Sequence, residues 1–586
     1  MRLSHTVAKA TQLMVRAGSH AGAVLNSQVR TKVGLPTPKA ELDHAVPGLA
    51  ERIVDRGREF LSDIAPQSSV ARVVNSVFTT QASMIRMGKL RELMSYNGPR
   101  RDTIGLSQEE IEVVLKRDHN LVKAIDTAYE IHQALRSEFP ELLKLPEAEL
   151  IKRLQEGVLN FYPPETVNPF VPLAAFGPWM VTSCGAVVHD NGGYGMMGLG
   201  HSSATTAEVL TGKHEVMANV MTASFAGRRV VDRLWKEIGH HSRDTGSSVY
   251  ERFAFLNSGS ESVALAARIV DHHAKLQTTK GARHHGKKIM NLSQVGSFHG
   301  RVDKPARVSD SSLDTYRKLL ASFEDQDDLL TVKTNSIEGL EKIFADAEAD
   351  GVFIQAFYME PVMGEGRPGV GVTPEYYRRA RELTRAHGTL LIVDSIQAGI
   401  RTHGVLSVVD YPGFENEEAP DMETYSKAAN AGQLSLSILA LSETASRLYV
   451  YGMYGNTMTG NPRALDMAAT VLDSLTDDRR KNIRERGVEF VTKLEALREE
   501  FPDAFIEGDD AVNGTGLLFA AELNPDMYDI VGPNGIEGYM RQKGIEVVHG
   551  GKHALRFTPP FDITTEEVDL IIAHLRDALE NGPRVG

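Results

Sequence analysis

Residues 390–397 read Leu-Leu-Ile-Val-Asp-Ser-Ile-Gln, and this stretch indicates the fold class. Its first four residues form a short continuous apolar run, which is typical of a strand buried on both faces of a parallel sheet. An acid follows the run directly, and an amide comes three residues after the acid. An Asp at such a place is costly to bury unless a ligand cation or the backbone N–H groups of the next turn satisfy it.

Further short apolar runs continue this pattern on both sides of residues 390–397. The candidate strands are Arg252 to Leu256, Lys288 to Leu292, Val352 to Met359, Thr389 to Val393, Met422 to Tyr425 and Leu434 to Leu441. Helical segments lie between them, such as Pro374 to His387, where Thr373 is the expected cap and Pro374 the first helical residue. This alternation predicts an α/β fold with a mainly parallel sheet.

The chain before residue 161 has a helical character instead. One face of a predicted helix carries residues spaced by three and four positions: Leu121, Ile125, Ala128, His132 and Leu135. Ser107 and Glu110 predict a capping box at the start of such a helix. We therefore expect a helical N-terminal extension at 1–160, an N-terminal segment of an α/β module at 161–215, a large domain at 216–470 and a small α/β C-terminal domain at 471–586.

Composition narrows the classes of partner. The chain has 586 residues and a formal net charge of −13, so it offers no global basic surface for nucleic acid or acidic membranes, and small molecules are the expected ligands. The apolar run from Leu173 to Val188 is interrupted by glycine, proline and hydroxyl residues, which predicts a buried or interface segment rather than a membrane span. The single cysteine, Cys184, excludes an intrachain disulfide and a multi-cysteine metal site.

Two motifs follow candidate strands in the first half of the α/β region. The turn Leu-Asn-Ser-Gly-Ser-Glu at 256–261 opens a helical run, so its backbone N–H groups and the helix dipole favour a phosphate; an ordinary N-cap serine explains it equally. The run Ser-Phe-His-Gly-Arg at 297–301 comes at the carboxyl edge of the sheet, where ligands of α/β proteins bind. Its aromatic ring suits stacking on a flat heterocycle, or a buried anchor for the loop. His299 has no second metal ligand at a helix spacing, so no metal site is expected.

Three motifs lie further along. Asp394 and Gln397 would suit a protonated pyridine nitrogen, which a carboxylate keeps charged. Lys427, in Thr-Tyr-Ser-Lys at 424–427, ends a candidate strand, where a desolvated lysine suits Schiff-base formation and a solvated one needs no function. The hydroxyls of Asn-Thr-Met-Thr-Gly-Asn-Pro at 456–462 could reach a phosphate, or the run could be a simple turn.

In this order the motifs resemble those of the class III pyridoxal-phosphate (PLP) aminotransferases, a fold-type I family, from roughly Val167 to the C-terminus. The resemblance implies a transferase whose large domain binds PLP. It implies that the cofactor is bound by Gly259, Ser260, Phe298, His299, Asp394, Gln397, Lys427 and Thr457. Lys427 would form the Schiff base and move the proton, and Asp394 would be the second catalytic residue. Thr457 would serve the neighbouring subunit's phosphate site, which implies a homodimer or higher homo-oligomer.

The resemblance also implies substrate residues. Arg556 would bind the α-carboxylate of glutamate and 2-oxoglutarate, and Glu365 would neutralise it when an ω-amine enters; a structural ion pair is the alternative. The implied function is transfer of an amino group from an amino acid or ω-amine to a keto acid, with 2-oxoglutarate expected. Decarboxylation, amino-group shift within one molecule, and a non-catalytic scaffold remain alternatives, as does a phosphate-binding protein of another sort.

The sequence departs from the family at three places. Ser395 stands where glutamate is usual, residues 398–404 read Ala-Gly-Ile-Arg-Thr-His-Gly, and Arg367 replaces a small residue. These departures leave the choice of substrate open. The first forty residues contain no acid and several basic residues, which indicates either a mitochondrial presequence or an ordinary basic arm. We expect a cytoplasmic protein, with the mitochondrial matrix as the alternative.

Overall fold

The computed structural model of the chain describes most of the α/β region and part of the extension. The described residues are 69–96, with side chains from 82, then 101–212, 221–241, 248–508, 510–532 and 534–585. The basic arm predicted for the first forty residues lies outside them.

The strands build three sheets. Their bounds are β1 Pro172–Phe176, β2 Trp179–Thr182, β3 Val187–Asp190, β4 Arg252–Leu256, β5 Lys288–Gln294, β6 Leu329–Val332, β7 Val352–Met359, β8 Leu390–Asp394, β9 Met422–Tyr425, β10 Ser437–Leu441, β11 Val512–Thr515, β12 Leu518–Glu522, β13 Ile545–Glu546, β14 Val548–Gly550 and β15 Ala554–Phe557. The largest sheet has seven strands in the order β4-β10-β9-β8-β7-β5-β6.

The α-helices surround these sheets. Their bounds are α1 Ser69–Tyr96, α2 Gln108–Arg117, α3 His119–Glu138, α4 Glu147–Leu154, α5 Ala204–Thr211, α6 Phe225–Glu237, α7 Gly259–Thr278, α8 Asp303–Arg307, α9 Asp310–Leu319, α10 Ile337–Ala349, α11 Pro374–His387, α12 Glu443–Leu448, α13 Pro462–Asp473, α14 Asp477–Glu500, α15 Ile536–Gln542 and α16 Thr565–Asn581. None of the helices within the described ranges is long and apolar enough to cross a membrane.

The seven-stranded sheet confirms the predicted α/β fold. Strands β6, β5, β7, β8 and β9 run parallel, whereas β10 is antiparallel to both β9 and β4. All five residues of β8 are buried, as the apolar run predicted. Because β10 reverses direction between its two neighbours, β4 points the same way as the parallel strands. The loops after β4 and after the five parallel strands therefore leave the sheet at one edge.

Helix α11 has the predicted start and end. Thr373 caps it by accepting a hydrogen bond from the Tyr376 N–H at 3.2 Å, and Pro374 occupies the first turn. Gly388 ends the helix with a left-handed backbone, φ +80°. The helix returns the chain to the start of β8. Strand β8 then runs to the carboxyl edge of the sheet, where Asp394 is its last residue.

The apolar segment from Leu173 to Val188 is half-buried up to residue 178 and buried from Trp179 onward, and it forms a meander of strands. Strand β2 pairs antiparallel with β1 and with β3, and β3 pairs in parallel with β13 of the C-terminal region. The C-terminal region adds a second four-stranded sheet in the order β11-β12-β15-β14. The pairing of β3 with β13 ties the two ends of the α/β region together.

The described part of the extension packs against this meander. Helix α2 begins with the predicted capping box of Ser107 and Glu110. In α3, the predicted face is buried at Leu121, Ile125, Ala128 and His132, whereas Leu135 is half-buried.

Direct hydrogen bonds join the extension to the α/β region. Buried Trp179 donates its indole N–H to Asp118 Oδ2 at 2.5 Å, and the Leu106 N–H donates to the Val187 carbonyl at 2.9 Å. His574 of α16 contacts Glu110 at 2.9 Å. The described part of the extension is therefore an integral layer of the fold.

Candidate active site

The predicted site residues converge at the carboxyl edge of the seven-stranded sheet. Asp394 is the last residue of β8, and Lys427 comes two residues after β9. Phe298 follows β5, and Gly259 follows β4. These loops leave neighbouring strands in the same direction, so residues distant in sequence come together by topology alone.

Asp394 is buried, and both of its oxygens are occupied. Oδ2 lies 2.8 Å from His299 Nδ1, while Oδ1 accepts from the Thr424 hydroxyl at 3.2 Å and the Ile396 N–H at 3.1 Å. His299 Nε2 is also buried and has no protein partner. The carboxylate is thus fixed in position by donors from three segments, which suits it to hold a positive charge in one place.

Lys427 donates from Nζ to Gln397 Oε1 at 3.0 Å. Desolvation, together with the positive charge of Arg556, lowers the pKa of Lys427 to about 8. Its backbone is left-handed, φ +47°, which residues with a Cβ rarely adopt. A lysine with a lowered pKa at the carboxyl edge of a sheet is a candidate nucleophile and proton carrier.

The turn before α7 forms a narrow cradle beside Asp394. Ser258 caps the helix, accepting from the Glu261 N–H at 3.3 Å, as the simpler interpretation predicted. A Cβ at Gly259 would lie 2.6 Å from Ile396 Cδ1, and a Cβ at Gly300 would lie 2.4 Å from Ser260 Oγ. A side chain at Gly259 would therefore displace Ile396, and one at Gly300, where φ is +122°, would strain the backbone as well. The first N–H groups of a helix have no partner within it, so this cradle is suited to an anion.

Glu360 joins two parts of the site, and sequence reasoning did not assign it a role. One of its oxygens accepts from the Phe298 N–H at 2.9 Å, and the other accepts from the Gly364 N–H at 2.8 Å. Burial raises the pKa of Glu360 to about 7. The Gly364 carbonyl in turn accepts from Arg556 Nη1 and from Gln397 Nε2. A single buried carboxyl group thus sets the position of both the aromatic loop and the arginine.

Arg556 and Glu365 form an ion pair at one end of the site. Arg556 is completely buried, and its Nη1 lies 2.8 Å from Glu365 Oε2. Burial alone would raise the pKa of Glu365, but the charge of Arg556 outweighs it and holds that pKa below its ordinary value. Arg556 Nε and Nη2 have no protein partner, and its guanidinium lies 5.2 Å from the centre of the Tyr194 ring. The arginine therefore keeps unused donors for a carboxylate.

Thr457 is exposed in the loop before α13. The neighbouring Asn456 holds this loop to the start of α7, donating to Glu261 Oε1 at 2.7 Å. Met458 beside it is 72% exposed. The predicted role of Thr457 in a neighbouring subunit's site stays a prediction.

The departures from the family pattern have structural partners. Ser395 donates to Glu423 Oε1 at 2.6 Å, so a carboxylate reaches that position from the adjacent strand. Arg401 is buried and donates to the carbonyls of Gly195 and Pro559 at 3.1 and 2.6 Å. Arg367 pairs with Asp510. These residues stabilise the surroundings of the site.

The residues at this edge fit PLP. The cradle beside Gly259 suits its phosphate, the fixed Asp394 suits a protonated ring nitrogen, and Lys427 offers an amine of lowered pKa. His299 Nε2 remains as a buried polar atom without a protein partner. Within the described residues, no group of three or more His, Cys, Asp or Glu side chains could hold a metal ion.

Comparison with solved structures defines the class of protein. The fold is similar to ornithine aminotransferase from Toxoplasma gondii, with a TM-score of 0.61 and 23% identity, covering 76% of this chain and 98% of that one. N-acetylornithine aminotransferase from Stenotrophomonas maltophilia gives a TM-score of 0.54 and 24% identity over 73% and 98% of the two chains. The fold is that of the fold-type I aminotransferases.

Comparison of sequences then gives the family. The model of the aminotransferase class-III family matches residues 168–579, and the chain belongs to this family. It is 26% identical to acetylornithine aminotransferase from Thermosynechococcus vestitus over 65% of this chain and 85% of that protein. It is 28% identical to mitochondrial ornithine aminotransferase from Oryza sativa over 57% and 66% of the two chains. The protein is a PLP-dependent aminotransferase, and the predicted family, cofactor and enzyme class are confirmed.

Proposed function

We propose that the chain transfers the terminal amino group of an ornithine-type donor to 2-oxoglutarate. The observation that carries this proposal is the ion pair between Arg556 and Glu365, 2.8 Å apart, beside Lys427. An arginine already neutralised by a glutamate does not demand a carboxylate on the carbon next to the reacting amine. An ω-amine can therefore enter first, and a keto acid carboxylate can use the same arginine later.

The two substrates would use Arg556 differently. While the ω-amine reacts, Glu365 stays on Arg556 and keeps the buried guanidinium compensated. When 2-oxoglutarate enters, its α-carboxylate bonds to the guanidinium in a bidentate manner and Glu365 moves aside. Arg556 Nε and Nη2 have no protein partner, so both can donate to the incoming carboxylate, which supports this exchange.

The catalytic roles follow from the positions of two side chains, Asp394 and Lys427. PLP, when bound, supplies a ring that withdraws electrons from the reacting carbon. Asp394 keeps the ring nitrogen protonated, and its position is held by His299 and Thr424. Lys427 removes a proton from the substrate carbon and then donates a proton at a second carbon. Its pKa of about 8 allows both steps near neutral pH. Gly259, Ser260, Phe298 and Gln397 position the cofactor.

The same proposal includes the assembly and the compartment. We infer a homodimer in which Thr457 completes the phosphate site of the partner subunit. We place the enzyme in the cytoplasm, with the mitochondrial matrix as the alternative for the basic arm. Amines and keto acids are its proposed partners, and nucleic acid and membranes are not.

A half-reaction panel tests the substrate assignment. The holoenzyme is mixed with ornithine, N-acetylornithine, lysine, diaminobutyrate, 4-aminobutyrate and glutamate, and the visible absorption of the cofactor is followed. We expect rapid loss of absorption with ornithine or N-acetylornithine, and its recovery when 2-oxoglutarate is added. Labelled donor and mass analysis of the product separate amino transfer from decarboxylation.

Arg556→Lys provides the matched variant. Lysine keeps the charge but lacks the bidentate fork, so we expect the KM for 2-oxoglutarate to rise by about ten- to a hundredfold. The half-reaction with the ω-amine should change much less. An equal loss in both half-reactions, or no reaction of the wild-type enzyme with any ω-amine, would contradict the proposal.

A further inference from the structure

Two tyrosines from different parts of the chain stack beside the substrate arginine. Tyr162, two residues after the end of the predicted extension, lies parallel to Tyr194, with ring centres 5.9 Å apart and an angle of 10° between the rings. Tyr194 also lies against the guanidinium of Arg556 at 5.2 Å. The segment that follows the extension therefore reaches the neighbourhood of the site through a single aromatic ring.

The Tyr194 loop is tightly held on the side of the site. Tyr194 has a left-handed backbone, φ +49°, between two glycines that also have positive φ. A Cβ at Gly195 would lie 3.2 Å from Arg401 Nε and 3.7 Å from Gln397 Cγ, so this loop crosses directly over residues at the carboxyl edge of β8. The backbone conformation fixes the position of the Tyr194 Cβ, and the residues that pack against the ring fix its orientation.

Tyr162 is held in place by its own chain. Its N–H donates to Asn160 Oδ1 at 3.0 Å, and two prolines follow it. The Thr166 carbonyl, just beyond, accepts from Arg541 Nη1 at 3.0 Å. Prolines restrict the backbone, so this short segment presents the ring in one position with little loss of entropy.

A cavity of about 490 Å³ lies on the outer side of the tyrosine pair. Its wall combines residues of the extension with residues of the α/β region, among them Leu154, Tyr162, Tyr194, Asp190 and Glu546. Asp190 and Glu546 are 8% and 5% exposed, and Glu546 Oε2 has no protein partner. Arg541 belongs to the same wall, with Nε 3.5 Å from Glu546 Oε1, and Asp190 is paired with His201 at 2.7 Å. The wall therefore carries charges of both signs.

Tyr194 belongs to the wall of this cavity and also contacts Arg556. We propose that Tyr162 is a specificity-determining residue that holds Tyr194 against Arg556 and closes the substrate site towards this cavity. This inference rests on the proposed function, because it concerns the choice of amino donor. With the ring of Tyr162 in place, the site accepts donors of ornithine length. Without it, Tyr194 can move aside, and the far end of a longer polyamine extends into the cavity.

Three variants of Tyr162 in the full-length holoenzyme test this inference. Tyr162→Ala and Tyr162→Leu remove the flat ring, and Tyr162→Phe retains it. Leu159→Ala is the matched control, because Leu159 lies in the same segment and is 94% exposed. The probes are ornithine, spermidine as a longer polyamine, and glutarate, an unreactive dicarboxylate whose binding is measured by calorimetry.

We expect the Kd of glutarate to rise about fivefold in Tyr162→Ala and Tyr162→Leu, because Arg556 loses its supported aromatic partner. We expect the ratio of kcat/KM for spermidine to that for ornithine to rise about tenfold, through KM rather than kcat. Tyr162→Phe and Leu159→Ala should match the wild type. A purely structural role would instead lower kcat and stability together and would leave the ratio unchanged.

The outcomes separate this inference from the proposed function. Unchanged glutarate binding together with an unchanged donor ratio in Tyr162→Ala and Tyr162→Leu would overturn the role of Tyr162. A loss in Tyr162→Phe equal to that in Tyr162→Ala would also overturn it, because the ring would not be what matters. If the wild-type enzyme reacts with no ω-amine, the proposed function fails. The comparison of glutarate binding in the variants still tests the contact between Tyr162, Tyr194 and Arg556.

Discussion

Lys427 Nζ lies 3.0 Å from Gln397 Oε1, in surroundings that lower its pKa to about 8. At pH 7, about one lysine in ten would then carry a neutral amine, against fewer than about one in a thousand at the ordinary pKa. We predict that the rate at which the apoprotein captures PLP rises with pH and levels off above about pH 8. The capture rate is followed by the absorbance of the bound cofactor.

A variant of Arg556 checks the cause of this lowered pKa. The charge of Arg556 disfavours a second positive charge on Lys427, so Arg556→Gln should move the midpoint of the capture profile to higher pH. Free N-acetyllysine gives the reference profile, with its midpoint near the ordinary lysine value. A wild-type rate that still climbs above pH 10 would contradict the lowered pKa.

The candidate site was predictable from sequence where its residues follow strands. Asp394, Gln397 and Lys427 stand at the ends of short apolar runs, so their convergence at one sheet edge follows from the strand directions alone. Glu360 and Glu423 were not predicted as site residues, because nothing in a linear sequence shows which backbone N–H groups or hydroxyls a buried carboxyl group will meet. Tyr162 precedes the stretch that resembles the family, which begins at roughly Val167, and nothing in a linear sequence shows that its ring will stack on Tyr194.

At the scale of elements, the carboxylate of Asp118 both caps helix α3 and binds a side chain of strand β2. Oδ1 accepts from the Asn120 N–H at 2.8 Å and caps α3, while Oδ2 accepts from the buried indole of Trp179. We predict that Asp118→Ala destabilises the packing of α3 on β2 by about 2–4 kcal/mol, as a cap is lost and a buried N–H is left unpaired. Hydrogen exchange of residues 108–138 measures this loss directly.

Asp118→Asn is the control for this prediction. Asparagine is an equally good helix cap and keeps an acceptor oxygen, so its cost should stay below about 1 kcal/mol. Equal protection of residues 108–138 in Asp118→Ala and the wild type would show that other contacts hold the extension in place.

Sequence patterns predicted the elements of the large sheet better than those of the smaller sheets. Strands β4, β7 and β9 and helix α11 have their predicted bounds, because apolar runs and caps are local signals. Strand β6 was missed, since only its last residue is fully buried. The meander from β1 to β3 was predicted only as a buried segment, since its strands are defined by pairing with one another and with β13, more than 350 residues away.

At the scale of the whole molecule, the proposed homodimer predicts complementation between two inactive variants. Lys427→Ala removes the amine, and Thr457→Asp places a negative charge at the proposed phosphate site. If Thr457 serves the partner's site, a mixed dimer has one site with both defects and one site with none. Co-expression with two affinity tags should therefore restore about half of the wild-type activity per mixed dimer.

The two homodimeric variants serve as controls and should both be inactive. If Thr457 acted within its own chain, every site of the mixed dimer would carry one defect, and no activity would return. Activity that falls on dilution of the mixed dimer, without exchange of subunits, would identify dissociation as the cause. The experiment tests the partner role of Thr457 independently of the identity of the substrate.

The contact between Glu110 and His574 joins residues 464 positions apart, between the second described helix and the last one. During synthesis the ribosome releases Glu110 long before His574, roughly 20–90 s earlier at ordinary rates of translation. For that interval α2 lacks the final helix, which it meets through Glu110 and His574. We therefore expect the packing of the described part of the extension to be completed only after the last helix has been synthesised.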